Sequence, residues 1–189
     1  KVIFNALPAT FSPDMWSHQY DQQVNQVECS SRPDRIWNTN GPDANLFGVE
    51  PNYGCCTANL SQGWPKFAAN LWMRTPEGGI AAVAYAPSEA AFTVAGTPVT
   101  VRLDTDYPFR ETLRFTITAG QPVRFPLLLR IPAWTESASL VDAHGEIARP
   151  AGGGYHRIER LWQGATTLDL TISYGAGIHS LSDWQRLQF

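Results

Sequence analysis

Cys55 and Cys56 stand side by side in "NYGCCTANL", after a glycine and ahead of a segment with helical character. Sulfur at the start of a helix lies near unpaired backbone N–H groups and the positive end of the helix dipole, which favours thiolate over thiol. A thiolate is both the nucleophilic and the metal-ligating form of cysteine. The residues alone leave three readings open. The pair can be two small buried hydrophobes, a strained disulfide between neighbours, or a metal site or reactive thiol. Zinc in a closed site takes four ligands from Cys, His and carboxylates. The further candidates upstream are Cys29, Glu28 and His18, and the usual C-x-x-C spacing is absent. His144, His156 and His179 fall on presumed strands or turns and read as surface or packing residues.

The elements around the cysteines are read from periodicity and turn chemistry. Val2, Ile3, Ala6 and Leu7 recur at helical spacing until Pro8 and Pro13 stop them. "MWSHQYDQQVNQVEC" (15–29) fits either a short hairpin or an extended loop, and 30–48 is loop chemistry throughout. Thr57 is the expected N-cap of the next helix. In that helix Leu60, Trp64, Phe67 and Leu71 form one apolar face, and Pro65 should kink or divide it. Composition then changes near residue 78. Beyond it, eight short runs bounded by Gly, Pro or Asp read as strands of an antiparallel β-sandwich. In "TLRFTITA", Leu113, Phe115 and Ile117 face one way. "FPLLLRIPAW" is the most apolar run, expected to be central in its sheet with Pro126 and Pro132 at its limits.

A chain of 189 residues is long enough to bury a core without staples. Three cysteines, two of them adjacent, do not make a secreted disulfide framework, and thiols favour a reducing, cytoplasmic setting. The net charge of −3 comes without a basic run, so no nucleic-acid partner is expected. No apolar stretch approaches the ~18 residues that span a bilayer, so no membrane is expected either. The opening "KVIFNALPATF" starts in mid-pattern, and the expectation is a piece of a longer polypeptide.

"NALPATFSPDMWSHQYDQQVNQVEC", "NLFGVEPNYGCCTANLSQGWPKFAANLWM" and "LLLRIPAW" together resemble glycoside hydrolase family 127, the β-L-arabinofuranosidase-like enzymes, and more closely a divergent branch of it. The resemblance implies a fold that is α+β by content. Residues 1–77 would be the C-terminal part of an (α/α)6 barrel, and residues 78–189 a β-sandwich. It implies retaining hydrolysis of an L-arabinofuranosyl-like glycan in the full-length protein, with a zinc-bound cysteine as nucleophile in place of a carboxylate. Carried over onto this sequence, Cys55 is the attacking sulfur, Cys55 and Cys56 are zinc ligands, and Tyr20 in "HQYDQQ" lies near the sugar. The family's remaining ligands are a Glu-x-Cys pair. Here "VEC" puts Glu28 and Cys29 in succession and after the "NALPATF" helix, so the matching pair and the general acid are expected in a missing N-terminal part of the barrel. The chain by itself is then expected to be inactive.

Trp16 and Trp37 are further aromatic candidates for a sugar face, and His18 and Gln19 for its hydroxyls. The competing expectation is a non-catalytic carbohydrate-binding or structural β-sandwich module with a helical cap.

Overall fold

The computed structural model describes residues 10–21, 42–48 and 54–174, the side chains of residues 42, 56 and 57 excepted. The predicted helix over "KVIFNAL", Glu28, Cys29, Trp37 and His179 lie outside the described residues. The chain forms two compact units that divide between Ala68 and Ala69.

In the first unit a single-turn 3-10 helix, Pro42–Asn45, is followed by helix α1, Gly54–Asn59. A 3-10 turn, Leu60–Gln62, then leads into helix α2, Gly63–Ala69. The predicted division of the helix is found, and proline chemistry explains where it falls. Pro65 occupies the first turn of α2, where a missing N–H costs nothing because that group has no intrahelical partner. Thr57 is not an N-cap, since α1 begins three residues earlier at Gly54. None of the residues of α2 is buried, although Trp64 and Phe67 make an edge-to-face contact at 6.4 Å.

The second unit is mostly strand. In order these are β1 (Trp72–Arg74), β2 (Ile80–Ala82), β3 (Ser88–Val94), β4 (Thr97–Thr105), β5 (Thr112–Ile131), β6 (Ser137–Asp142), β7 (Gly145–Ala148) and β8 (Gly154–Ser173). They form one eight-stranded sheet, β1-β2-β5-β8-β6-β7, with β3 and β4 attached to β5 through β4. β5 and β8 pair antiparallel along almost their whole length. The first half of β5 lies between β4 and β8, and its second half between β2 and β8.

The bend between the halves is a bulge. Ala119 pairs with Gly164 and Val123 with Trp162, so Gly120, Gln121 and Pro122 face Gln163 alone. Extra residues on one strand of a pair bend it and increase its twist. The sheet thereby folds over one core. Leu113, Phe115 and Ile117 enter that core from one half of β5, and Phe125, Leu127 and Leu129 from the other. Edge-to-face contacts of Phe115 with Trp72 at 6.1 Å, and of Phe92 with Phe125 at 5.5 Å, close the space between the layers. Phe125 also stacks on Trp162, whose indole N–H donates to the Phe125 carbonyl at 2.9 Å.

Three expectations are corrected. The sandwich-like sheet is mixed rather than antiparallel, because β2 runs parallel to β5. Parallel neighbours need a long crossover, and the β3–β4 hairpin on the other layer supplies it. The eight predicted short strands become two long ones plus four others, with β1 and β7 as strands the runs did not include, and Gly-Gln-Pro marks a bulge instead of a turn. Pro126 lies inside β5, opposite Glu159, instead of ending it. Its other side meets β2 only where that strand begins, with Gly79 backbone packed on the proline ring. Pro132 does follow the last residue of β5, and the run is central as expected.

Candidate functional site

The stretch that carries Tyr20 is held by backbone pairing on both sides. Phe11 and His18 form an antiparallel bridge, and His18 bridges to Gly48 on the other side. The Gln19 N–H donates to the Thr10 carbonyl at 2.9 Å and the Asp21 N–H to the Ala44 carbonyl at 2.9 Å. Between 11 and 18 the chain reverses through "SPDMWS"; residues 22–29 of the segment read as hairpin or loop lie outside the described residues. Ser12 Oγ donates to Asp14 Oδ1 at 2.5 Å and accepts the Ser17 N–H at 3.0 Å. Asp14 also accepts the Trp16 N–H, and these bonds hold its carboxyl below the usual carboxylate range, the Ser12 hydroxyl most of all. Trp16 stands at the tip with 80% of its surface exposed.

Gln19 was a candidate for sugar hydroxyls, but its side chain is buried and its amide N–H donates to the Asn45 carbonyl at 2.6 Å. The Asn45 amide in turn donates to the Asp21 carbonyl at 3.3 Å. Gln19 and Asn45 therefore clamp the segment that carries the half-buried Tyr20 to the one around residue 45. Sequence reasoning missed Asn45, since an asparagine in "GPDANLFG" looks like any other turn residue. His18 is buried between the same two segments.

Cys55 is exposed in the first turn of α1. Asn59, one turn on, donates its side-chain amide to the Cys55 carbonyl at 2.6 Å and accepts from the Gln62 amide at 2.8 Å. Such a back-bond occupies the backbone acceptor of the turn that carries the sulfur, and ties it to the 3-10 turn beyond. Cys56 follows in the same helix, and its side chain is outside the described set. Adjacent thiols fit zinc by donor chemistry. Among the described residues, however, no group of three or more His, Cys, Asp or Glu is gathered to hold a metal ion. His144 sits exposed in the β6–β7 turn and His156 half-buried on β8, in line with their reading as surface and packing residues.

In the second unit a shallow cleft of about 600 Å³ is lined by Pro87, Asp104, Thr105, Asp106, Arg110 and Thr112. None of these was a candidate from sequence. No helix among the described residues is long and apolar enough to cross a membrane.

Fold and site together define a class: a folded-over β-sheet unit joined in sequence to a short helical unit that exposes a cysteine. The chain belongs to glycoside hydrolase family 127, whose family model, "Beta-L-arabinofuranosidase, GH127 middle domain", matches residues 79–174. Three solved structures are similar in fold. One is a GH127 β-L-arabinofuranosidase from Geobacillus stearothermophilus T6, with a TM-score of 0.71 and 19% identity over 87% of this chain and 26% of that one. The second is described as a glycoside hydrolase, with a TM-score of 0.69 and 19% identity over 90% and 27%. The third is a GH127 β-arabinofuranosidase, with a TM-score of 0.59 and 17% identity over 67% and 22%. This chain thus spans about a quarter of their length. No curated protein matches it.

Proposed function

We propose that the protein carrying this chain is a retaining glycoside hydrolase acting on an L-arabinofuranosyl-like glycan, with Cys55 as its nucleophile. The observation that carries the reading is an exposed Cys55 at the start of a helix, in a chain that belongs to a glycoside hydrolase family. In this reading residues 1–77 belong to an (α/α)6 barrel and residues 78–189 to the sandwich. The Cys55 sulfur attacks the anomeric carbon and forms a C–S bond. The glycosidic C–O bond breaks, its electron pair leaves on the aglycone oxygen, and that oxygen takes a proton from a general acid outside this chain. Water then displaces the sulfur, so two inversions retain the configuration. Cys55 and Cys56 are the residues that would hold zinc, and zinc would keep the sulfur ionised at neutral pH. The other ligands are assigned to residues outside this chain. Tyr20, fixed by the Gln19–Asn45 clamp, presents its hydroxyl to the sugar.

The test uses the full-length protein. A cysteine-directed, sugar-shaped epoxide should label Cys55, as read by peptide mass spectrometry, and Cys55→Ser should lose at least about a hundredfold in kcat/KM. Label confined to another residue, or a Cys55→Ser enzyme with undiminished turnover, refutes the assignment. A second reading is favoured by one observation: the family match lies wholly within the sheet unit. On that reading the sheet unit is a carbohydrate-binding or structural module, and full-length protein binds sugar or packs against a partner domain but turns over no arabinofuranoside.

A further inference from the structure

Asn59 ends α1 and directly precedes the 3-10 turn Leu60–Gln62, a place where an asparagine side chain ordinarily accepts an N–H of the turn that follows. It makes no such capping bond. The side chain turns back instead, and its amide donates to the Cys55 carbonyl at 2.6 Å. The oxygen of the same amide accepts from Gln62 Nε2 at 2.8 Å. Gln62 in turn belongs to a turn closed by the Gly63 N–H on the Leu60 carbonyl. Residues 55, 59 and 62 stand at steps of four and three, the spacing of one helix face. One line of bonds therefore runs from the 3-10 turn to the residue that carries the sulfur.

We propose that Asn59 is a positioning residue for Cys55, with Gln62 acting through it. The inference rests on the reading of Cys55 as the nucleophile and deepens it. Helix α1 has only 6 residues, whereas a helix alone in water needs ~12–15 to hold its shape. Its first turn needs a further hold if the sulfur is to meet a sugar carbon in a single geometry. A nucleophile works from about 3–3.5 Å, and a displacement of ~1 Å can cost about a hundredfold. The Asn59 amide grips the backbone of Cys55 without touching a reacting atom, and Gln62 fixes the rotation of that amide by engaging its oxygen. Helix stability is a poor account of the same residue, because asparagine is a weaker helix former than alanine.

The test compares the full-length wild-type protein with Asn59→Ala, Gln62→Ala and the double variant on a nitrophenyl β-L-arabinofuranoside. Turnover is counted per site titrated with the cysteine-directed sugar epoxide, so misfolded protein drops out of the comparison. Asn59→Ala should lower kcat about tenfold while KM stays within about twofold. Gln62→Ala should lose about threefold, and the double variant no more than Asn59→Ala alone, since Gln62 acts only through Asn59. Iodoacetamide needs a thiolate but no alignment with a sugar, so its rate at Cys55 should change by less than about twofold. A wild-type kcat in Asn59→Ala overturns the positioning, as do losses that add in the double variant or an equal fall in the iodoacetamide rate. If Cys55 takes the epoxide and Cys55→Ser is inactive while Asn59→Ala turns over normally, the nucleophile stands and only the positioning falls. Undiminished turnover by Cys55→Ser refutes both.

Discussion

Gly79→Ala is the substitution that tests the architecture most directly. Gly79 precedes β2 where the backbone runs against Pro126 of β5. A Cβ at Gly79 would lie 2.5 Å from Pro126 Cγ and 2.8 Å from Cδ, with the Pro126 carbonyl oxygen nearer still. Neither partner can yield, since the carbonyl is backbone and the ring sits in a strand paired with β8. Overpacking of this kind costs about 1–3 kcal/mol even where neighbours can adjust. The alternative is to withdraw β2, which holds β5 through three residue pairs and buries Ile80, Ala81 and Ala82. Exposing Ile80 alone costs about 1.5–3 kcal/mol. Either route sets the loss near 3 kcal/mol, or a fall in Tm of about 6–12 °C for a chain of this size. The assay is thermal and urea unfolding of the full chain followed by tryptophan fluorescence. Gly120→Ala is the control, because a Cβ there meets nothing within 4 Å. A Gly79→Ala chain that melts within about 1 °C of wild type would show that β2 does not dock on β5 in this register.

Trp162→Phe should destabilise the sheet unit by about 1–3 kcal/mol, because the Phe125 carbonyl loses its buried N–H donor. Urea unfolding reads the loss, and an unchanged midpoint would refute the bond. Acid should destabilise the fold in a defined window. Asp169 is held below the usual carboxylate range by Arg114, and Asp142 by the His144 N–H first and Arg160 second. Both therefore bind fewer protons in the folded state than in the unfolded one. Their stabilisation is complete above ~4, the unfolded value, and is lost as the pH falls through the lowered folded values. Tm measured against pH should drop below ~4, and the drop should shrink in the Asp142→Asn/Asp169→Asn double variant. A double variant that loses as much as wild type would exclude these pairs as the cause.

Much of the local structure was legible in the sequence, because it depends on neighbours along the chain. The alternation of Leu113, Phe115 and Ile117 marks a strand with one buried face, and Pro132 marks its end. Pro65 can stand only at the start of a helix, so it divides the helical segment. The run "GCCTAN" announced a helix start with thiols, and its companion motifs carried the family.

Tertiary structure alone decided the rest, for a physical reason that recurs. Gly120–Gln121–Pro122 has the chemistry of a hairpin turn, yet that chemistry serves equally for a bulge within a continuing strand. Only the pairing of both halves of β5 with β8 selects the bulge. Pro126 is excluded from a central strand by local rules, and is tolerated because Gly79, just before β2, packs beside it. The parallel pairing of β2 with β5 follows from where the chain returns after its β3–β4 excursion, which no short window records. Gln19 offered itself as a sugar ligand by type and position. A carbonyl 26 residues away turned it into a clamp.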